Sequence, residues 1–125
     1  MSIRAIHHVS LLVTDTARAL GFYRDLLGMV QVARPELGFP GAWLAIGEGQ
    51  LHLLELPKPD PCEGSSVHVG RDRHLALAVT ELDILVMRLE AVGVACTRSR
   101  SGRQAVFCRD PDGNGIELVS CENGT

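Results

Sequence analysis

The sequence predicts an α+β fold made of two copies of one strand–helix–three-strand unit, and three observations support this prediction. An internal repeat matches three segments of the first half with three segments that lie about 65 residues further along the chain. In both halves a helical pattern of apolar residues ends at a glycine. Strand-like segments follow that glycine in each half. The matched segments are His8–Asp15 with His74–Glu81, Asp25–Gly28 with Glu90–Gly93, and Gln50–Leu53 with Gly115–Leu118.

The first half begins with a predicted strand over residues 4–13, where apolar and β-branched residues are frequent. A helix follows, which Thr14 or Asp15 can cap and which Gly28 can end in the left-handed conformation. The apolar positions with helical spacing in this helix are Ala17, Leu20, Tyr23 and Leu27. Three further strands are predicted near residues 29–34, 41–47 and 50–56.

The second half repeats this order, starting with a predicted strand over residues 73–79. Gly93 ends the second helix, and the segment Asp110–Gly115 is a strong turn signal between the last two strands. The apolar stripe of the helix is Leu82, Leu85, Val86, Leu89 and Val92. The remaining strands are predicted near residues 94–99, 103–109 and 115–121.

A proline-rich segment joins the two halves, and prolines disfavour strand pairing and stiffen a connection. It is too short to separate two independent domains. We therefore predict a single domain over residues 1–125 with three parts. These are module 1 (residues 1–56), a linker (residues 57–72) and module 2 (residues 73–121).

Composition narrows the class of protein. The net charge is −3, with 46% hydrophobic residues. This balance is typical of a globular protein and gives no electrostatic reason to expect a nucleic-acid partner. Because no apolar run approaches the roughly 20 residues that cross a bilayer, we expect no membrane association and a cytoplasmic location.

The four cysteines form no C-x-x-C pair, so we expect them to be reduced rather than a disulfide framework. Cys62, in the proline-rich linker, is expected to be the most exposed thiol. The others are interpreted as small apolar strand residues. They are Cys96, Cys108 and Cys121.

Four polar residues stand out because each faces away from the apolar side of its predicted strand. They are His8, His52, His74 and Glu117. If each helix covers the apolar face, all four lie on the uncovered, concave face. Packing of two pseudo-symmetric modules would then bring them to one point.

Three imidazoles and one carboxylate are suitable ligands for one borderline divalent transition metal, namely Zn²⁺, Ni²⁺, Co²⁺, Fe²⁺ or Mn²⁺. Ca²⁺ and Mg²⁺ prefer oxygen ligands. The repeat supports ligation by His8, His74 and Glu117, which occupy equivalent strand positions. His52 also fits a pocket residue that does not bind the metal.

A histidine at the start of a strand is usually structural or solvated. We assign that ordinary role to His7, on the opposite face from His8, and to the loop residue His68.

The sequence resembles the vicinal oxygen chelate superfamily, which includes glyoxalase I, fosfomycin-resistance proteins, methylmalonyl-CoA epimerase, extradiol dioxygenases and bleomycin-resistance proteins. The resemblance covers almost the whole chain. It rests on the segments His7–Asp15, Phe22–Gly28, His74–Val79 and Asp110–Leu118.

This resemblance implies a glyoxalase-like fold, in which two βαβββ modules form a cupped mixed sheet around a metal, often in a homodimer. The first-strand histidine of the family falls on His8, the fifth-strand histidine on His74 and the last-strand glutamate on Glu117. At the fourth-strand position glyoxalase I has a glutamate and the epimerases a glutamine, whereas this chain has His52.

The predicted function is therefore a metal-dependent glyoxalase-like lyase or isomerase acting on a small molecule. The metal would chelate vicinal substrate oxygens while Glu117, helped by His52, transfers a proton. Trp43 is interpreted as either a pocket or a core residue. Four arginines are candidate contacts for an anionic substrate tail, namely Arg24, Arg71, Arg73 and Arg103.

Two alternatives use the same fold. An extradiol-type dioxygenase could bind Fe²⁺ through His8, His74 and Glu117, and a fosfomycin-type thiol transferase could use the same metal. A non-catalytic binding protein of the bleomycin-resistance type would need no metal, and the full set of ligands argues against it. The sequence leaves open whether the site forms within one chain or across a dimer.

Overall fold

The computed structural model describes residues 2–57 and 68–121. The chain divides into two compact units, Met1–Pro61 and Cys62–Thr125. Most of the predicted linker lies outside the described residues, as does Cys62. The assignment of both modules to one domain therefore stays a prediction.

The first unit has one four-stranded mixed sheet with a helical segment after its first strand. The sheet order is β1-β4-β3-β2, with β1 parallel to β4 and the other neighbours antiparallel. The strands are β1 (His8–Val13), β2 (Val30–Val32), β3 (Gly41–Ile46) and β4 (Gly49–Glu55). The helix α1 (Thr16–Leu20) continues into a π-helical segment (Gly21–Leu26).

The second unit repeats this topology with the order β5-β8-β7-β6, and β5 is parallel to β8. Its strands are β5 (His74–Val79), β6 (Thr97–Arg98), β7 (Ala105–Arg109) and β8 (Gly115–Ser120). The helix is α2 (Leu82–Ala91), and a 3₁₀ turn (Val69–Arg71) precedes β5. The α+β class and the tandem βαβββ units are thus confirmed.

Several local signals act as the sequence predicts. The Asp15 side chain caps α1 by accepting a hydrogen bond from the Arg18 backbone N–H at 3.1 Å. Gly28 and Gly93 have φ values of +80° and +89°, which favour glycine after a helix. Asp110 Oδ1 accepts from the backbone N–H groups of Asp112 and Asn114, so the predicted turn closes on its own carboxylate.

Several details of the local structure differ from the predictions. The first strand begins at His8 rather than at residue 4, and β6 has two residues instead of six. The first helix widens into a π-helical segment, in which the Leu27 N–H bonds to the Phe22 carbonyl at 3.0 Å. Val92 is 60% exposed because α2 ends at Ala91, one residue before it.

The helix of each unit packs against the apolar face of its own sheet. α1 contacts β3 and β4, and α2 contacts β8. Leu51 and Leu53 on β4 are completely buried, and so are Ile116 and Leu118 on β8. Because side chains alternate along a strand, His52 and Glu117 lie on the opposite face of their sheets. None of the helices in residues 2–57 and 68–121 is long and apolar enough to span a membrane.

Candidate metal centre

His74 and Glu117 form a close pair on one face of the second sheet. His74 pairs with Gly115 and Ala76 pairs with Glu117 in the parallel β5–β8 ladder, so the two side chains are diagonal neighbours. His74 Nε2 lies 3.1 Å from Glu117 Oε1. Glu117 is only 3% exposed, so its carboxylate is taken almost completely out of water.

The hydrogen bond of His74 Nδ1 determines whether Nε2 can donate or accept. Nδ1 lies 2.8 Å from the backbone carbonyl oxygen of Asp72, which can only accept a hydrogen bond. Nδ1 must therefore carry a proton, and in the neutral ring Nε2 has a lone pair directed at a carboxylate oxygen. A positive charge, either a proton or a metal ion, has to compensate these two facing acceptors. Metal-binding histidines typically donate the other ring N–H to such a carbonyl.

The other oxygen of Glu117 is also suited to a cation. Oε2 is buried without a hydrogen-bond partner among the described residues. Arg103 Nη2 lies 3.8 Å from it, too far for a hydrogen bond. A buried carboxylate oxygen without a donor is costly, so the pair fits a metal better than it fits an empty sheet face.

In the first unit His52 is held within a stack of three rings. Its imidazole packs between Trp43, at 4.2 Å and 6°, and His8, at 4.1 Å and 17°. The register explains this contact, because Trp43 and Ser10 are the cross-strand partners of His52 on the two sides. Trp43, on β3, therefore lies on the same polar face of the sheet as His52.

His52 is also fixed within its plane. Nε2 lies 2.8 Å from the amide oxygen of Gln50, so Nε2–H donates and Nδ1 keeps a lone pair. Burial, followed by the charges of His8, His7 and Arg34, lowers the pKa of His52. A neutral imidazole with a free nitrogen is the form that binds metals.

The stacking of His8 on His52 limits what the two rings can do together. Imidazole lone pairs lie in the ring plane, and two nearly parallel planes about 4 Å apart cannot both point at one ion about 2 Å away. One ring must rotate before both can be ligands. The His8 ring is the freer of the two to rotate because it is exposed. It has a polar contact with the adjacent His7, whose Nδ1 lies 2.9 Å from Nδ1 of His8.

The predicted ligands thus occur as two pairs, His8 with His52 in the first unit and His74 with Glu117 in the second. Within residues 2–57 and 68–121, no three His, Cys, Asp or Glu side chains form a group that could hold a metal. The four-residue site therefore stays a prediction.

The other residues singled out by sequence have varied environments. Arg24 is an exposed surface residue that pairs with Asp25 at 2.9 Å, and Arg71 is exposed on the 3₁₀ turn. The His68 ring is not merely solvated, because it packs edge-on against Phe107 at 5.6 Å.

Of the three cysteines interpreted as strand residues, only Cys108 lies in a strand, because Cys96 precedes β6 and Cys121 follows β8.

Sequence reasoning missed two neighbours of the predicted ligands. Gln50 lies two residues before His52, on the same face of β4. Phe107 is the cross-strand partner of Glu117 and packs edge-on against His74 at 5.5 Å. The alternation of side chains along a strand could have identified Gln50 from the sequence, because it places Gln50 on the same face as His52. The position of Phe107 depends on the pairing register and could not be identified in this way.

Comparison with known proteins identifies the family. A sequence model of the Glyoxalase/Bleomycin resistance protein/Dioxygenase superfamily matches residues 5–118. The chain belongs to this superfamily. It is 31% identical to Glyoxylase I 4 of Arabidopsis thaliana over 98% of this chain and 74% of the relative. It is also 31% identical to the glutathione transferase FosA of Serratia marcescens, over 93% of this chain and 80% of the relative.

A solved structure of a fosfomycin resistance protein shares the fold. A mutant of the fosfomycin resistance protein FosX from Listeria monocytogenes was crystallised with Mn(II) and 1S,2S-dihydroxypropylphosphonic acid. It superposes with a TM-score of 0.75, at 16% identity, over 94% of this chain and 92% of that chain.

Proposed function

We propose that the protein is a metal-dependent lyase or isomerase of the glyoxalase type, acting on a small molecule. The observation that carries the proposal is the His74–Glu117 pair, in which Nε2 and the carboxylate oxygen Oε1 face each other at 3.1 Å while Nδ1 is already bonded to the Asp72 carbonyl. His74, Glu117 and His8 would hold one divalent transition metal, with His52 as the fourth ligand. The metal would be Ni, Zn, Co, Mn or Fe.

When bound, the cation would stabilise negative charge that develops on vicinal substrate oxygens. The chain itself supplies proton transfer. Glu117 Oε2 has no hydrogen-bond donor, so it can accept a proton from the carbon beside a carbonyl and return it to the adjacent carbon. The carboxylate is almost completely buried, and the contact between His74 and the Asp72 carbonyl keeps the imidazole in one orientation.

His52 is the second residue proposed to take part in proton transfer. Gln50 fixes its tautomer, and the rings of Trp43 and His8 restrict its rotation. The uncharged ring, favoured by its lowered pKa, leaves Nδ1 able to accept a proton or bind the metal.

The two pairs would supply one site, with two ligands from each unit. A homodimer, which the family resemblance implies, is part of this proposal, with the site formed either within one chain or between the two chains.

The test is an assay of thiohemiacetal isomerisation after loading the protein with each cation in turn. We expect cation-dependent turnover that falls by about 10²–10⁴-fold in Glu117→Gln, since a positioned acid–base group typically contributes this much. Glu90→Gln, an exposed position on α2, is the matched control and should keep full activity. Equal activity in both variants would contradict the proposal.

A second candidate is fosfomycin-type thiol transfer, favoured by the 31% identity to the glutathione transferase FosA. In that reaction a thiolate sulfur bonds to an epoxide carbon, the carbon–oxygen bond breaks, and the oxygen takes a proton. Loss of fosfomycin in the presence of a thiol, without thiohemiacetal turnover, would favour this candidate. Oxygen uptake with catechols would instead point to a dioxygenase.

A further inference from the structure

We propose that Arg103 selects substrates that carry an anionic group beside their reacting oxygens. This inference rests on the proposed function, because it assigns a substrate class to the same site. Arg103 lies in the loop between β6 and β7, and its Nη2 atom is 3.8 Å from Oε2 of Glu117. Its side chain is 63% exposed and that of Glu117 only 5%, so the guanidinium covers the carboxylate from the solvent side.

The loop itself holds Arg103 in this position. The Ser101 hydroxyl oxygen accepts from the Arg103 backbone N–H at 3.3 Å and from its Nε–H at 3.4 Å. The hydroxyls of Ser101 and Ser99 are 2.8 Å apart, and the Ser99 N–H donates to the Ala105 carbonyl at 2.9 Å. Two serines therefore tie the arginine to the start of β7.

The outer nitrogens of Arg103 are free to bind a ligand. A guanidinium has five N–H donors, and only Nε–H is used here. Nη1 and Nη2 make no hydrogen bond within residues 2–57 and 68–121, and together they present the fork that binds a carboxylate or phosphonate in bidentate fashion. By comparison, Arg24 uses its guanidinium on Asp25 and Gln31.

The charge balance favours an anion at this place. A cation held by Glu117 and His74 would neutralise the carboxylate, and the guanidinium 3.8 Å away would then lack a counter-ion. An anionic group on the substrate would restore that balance. A carboxylate and a phosphonate share the chemistry that this fork recognises.

The experiment measures binding of three hydroxamates by calorimetry to protein loaded with one divalent cation per chain. Each probe has the same pair of vicinal oxygens, and the tails differ. Butanohydroxamate ends in a methyl group, succinic monohydroxamate in a carboxylate and 3-phosphonopropanohydroxamate in a phosphonate. We expect at least one anionic probe to bind about tenfold more tightly than butanohydroxamate, the usual effect of a charge-assisted pair.

Arg103→Gln should reduce this preference to less than about twofold. Arg100→Gln removes the same charge from the same loop, and Arg100 makes no hydrogen bond or ion pair among the described residues, so this variant should keep the preference. Arg103→Lys, which keeps the charge and loses the fork, should retain part of it.

The inference is overturned if Arg103→Gln keeps the preference or if Arg100→Gln loses it equally. Butanohydroxamate binding that requires the cation would show that the proposed metal site survives such a failure. If no hydroxamate binds more tightly with the cation than without it, the proposed function fails and this inference fails with it.

Discussion

His74 Nε2 and Glu117 Oε1 lie 3.1 Å apart, while His74 Nδ1 donates to the Asp72 carbonyl. The ring therefore directs a lone pair, not an N–H, at a buried carboxylate unless it is protonated. This geometry matches a metal-binding pair whose outer hydrogen bond is already in place. It forms entirely within the second unit and depends on the parallel pairing of β5 with β8.

Gly115 allows this pair to form. A Cβ atom at position 115 would lie 2.8 Å from Val69 Cγ1, 2.9 Å from the Arg73 carbonyl oxygen and 3.1 Å from His74 Cβ. We expect Gly115→Ala to lower the free energy of unfolding by about 1–3 kcal/mol, the usual cost of overpacking. Denaturant unfolding measures this change.

Gly21→Ala is the control for this substitution. Nothing lies within 4 Å of a Cβ at position 21, and its φ is −56°, so alanine should be neutral or stabilising there. An equal loss of stability in both variants would show that the close contact at Gly115 is unimportant.

The lowered pKa of His52 makes the metal-free protein sensitive to acid. The folded state resists protonation of His52, whereas the unfolded chain binds that proton near the ordinary pKa of 6.5. Because the unfolded state then holds more protons, stability falls as the pH drops below about 6.5.

The check is the free energy of unfolding of metal-free protein between pH 7.5 and pH 5.5. His52→Gln should show a smaller decrease than the wild type, since its side chain cannot titrate. Equal slopes for the two proteins would be inconsistent with a depressed pKa at His52.

Thiol reactivity should follow burial. Burial raises the pKa of Cys108 to about 12, so almost none of it is thiolate at neutral pH. We expect maleimide labelling of the native protein, followed by peptide mass spectrometry, to leave Cys108 unmodified. Cys62, predicted from sequence as the most exposed thiol, should react first. Rapid labelling of Cys108 would contradict this order.

Much of the fold could be predicted because the internal repeat indicates the two units and the alternation of apolar residues indicates the faces of the strands. The offset between His8 and His74 revealed two equivalent units, and alternation placed His52 and Glu117 on the polar faces of β4 and β8. Glycines at positions 28 and 93 ended both helices as expected, since their positive φ values are intrinsically favourable only for glycine.

What the sequence did not reveal depends on tertiary contacts. The widening of the first helix at Gly21–Leu26 leaves no simple trace in an apolar pattern. The stack of His8, His52 and Trp43 requires the register of three strands. The position of Phe107 beside Glu117 requires the register of β7 with β8. The contact of Arg103 with Glu117 depends on a short loop whose shape the serines determine.

The most direct test of the metal site is the metal content of protein purified without an affinity tag, measured by plasma mass spectrometry. We expect about one Ni, Zn, Co, Mn or Fe per site in the wild type and in Glu90→Gln, and a large loss of metal in Glu117→Gln. Nickel, cobalt or zinc would favour the glyoxalase-type reaction and iron a dioxygenase. Metal absent from all three proteins, even after reconstitution with each cation, would contradict the account and favour a non-catalytic binding protein.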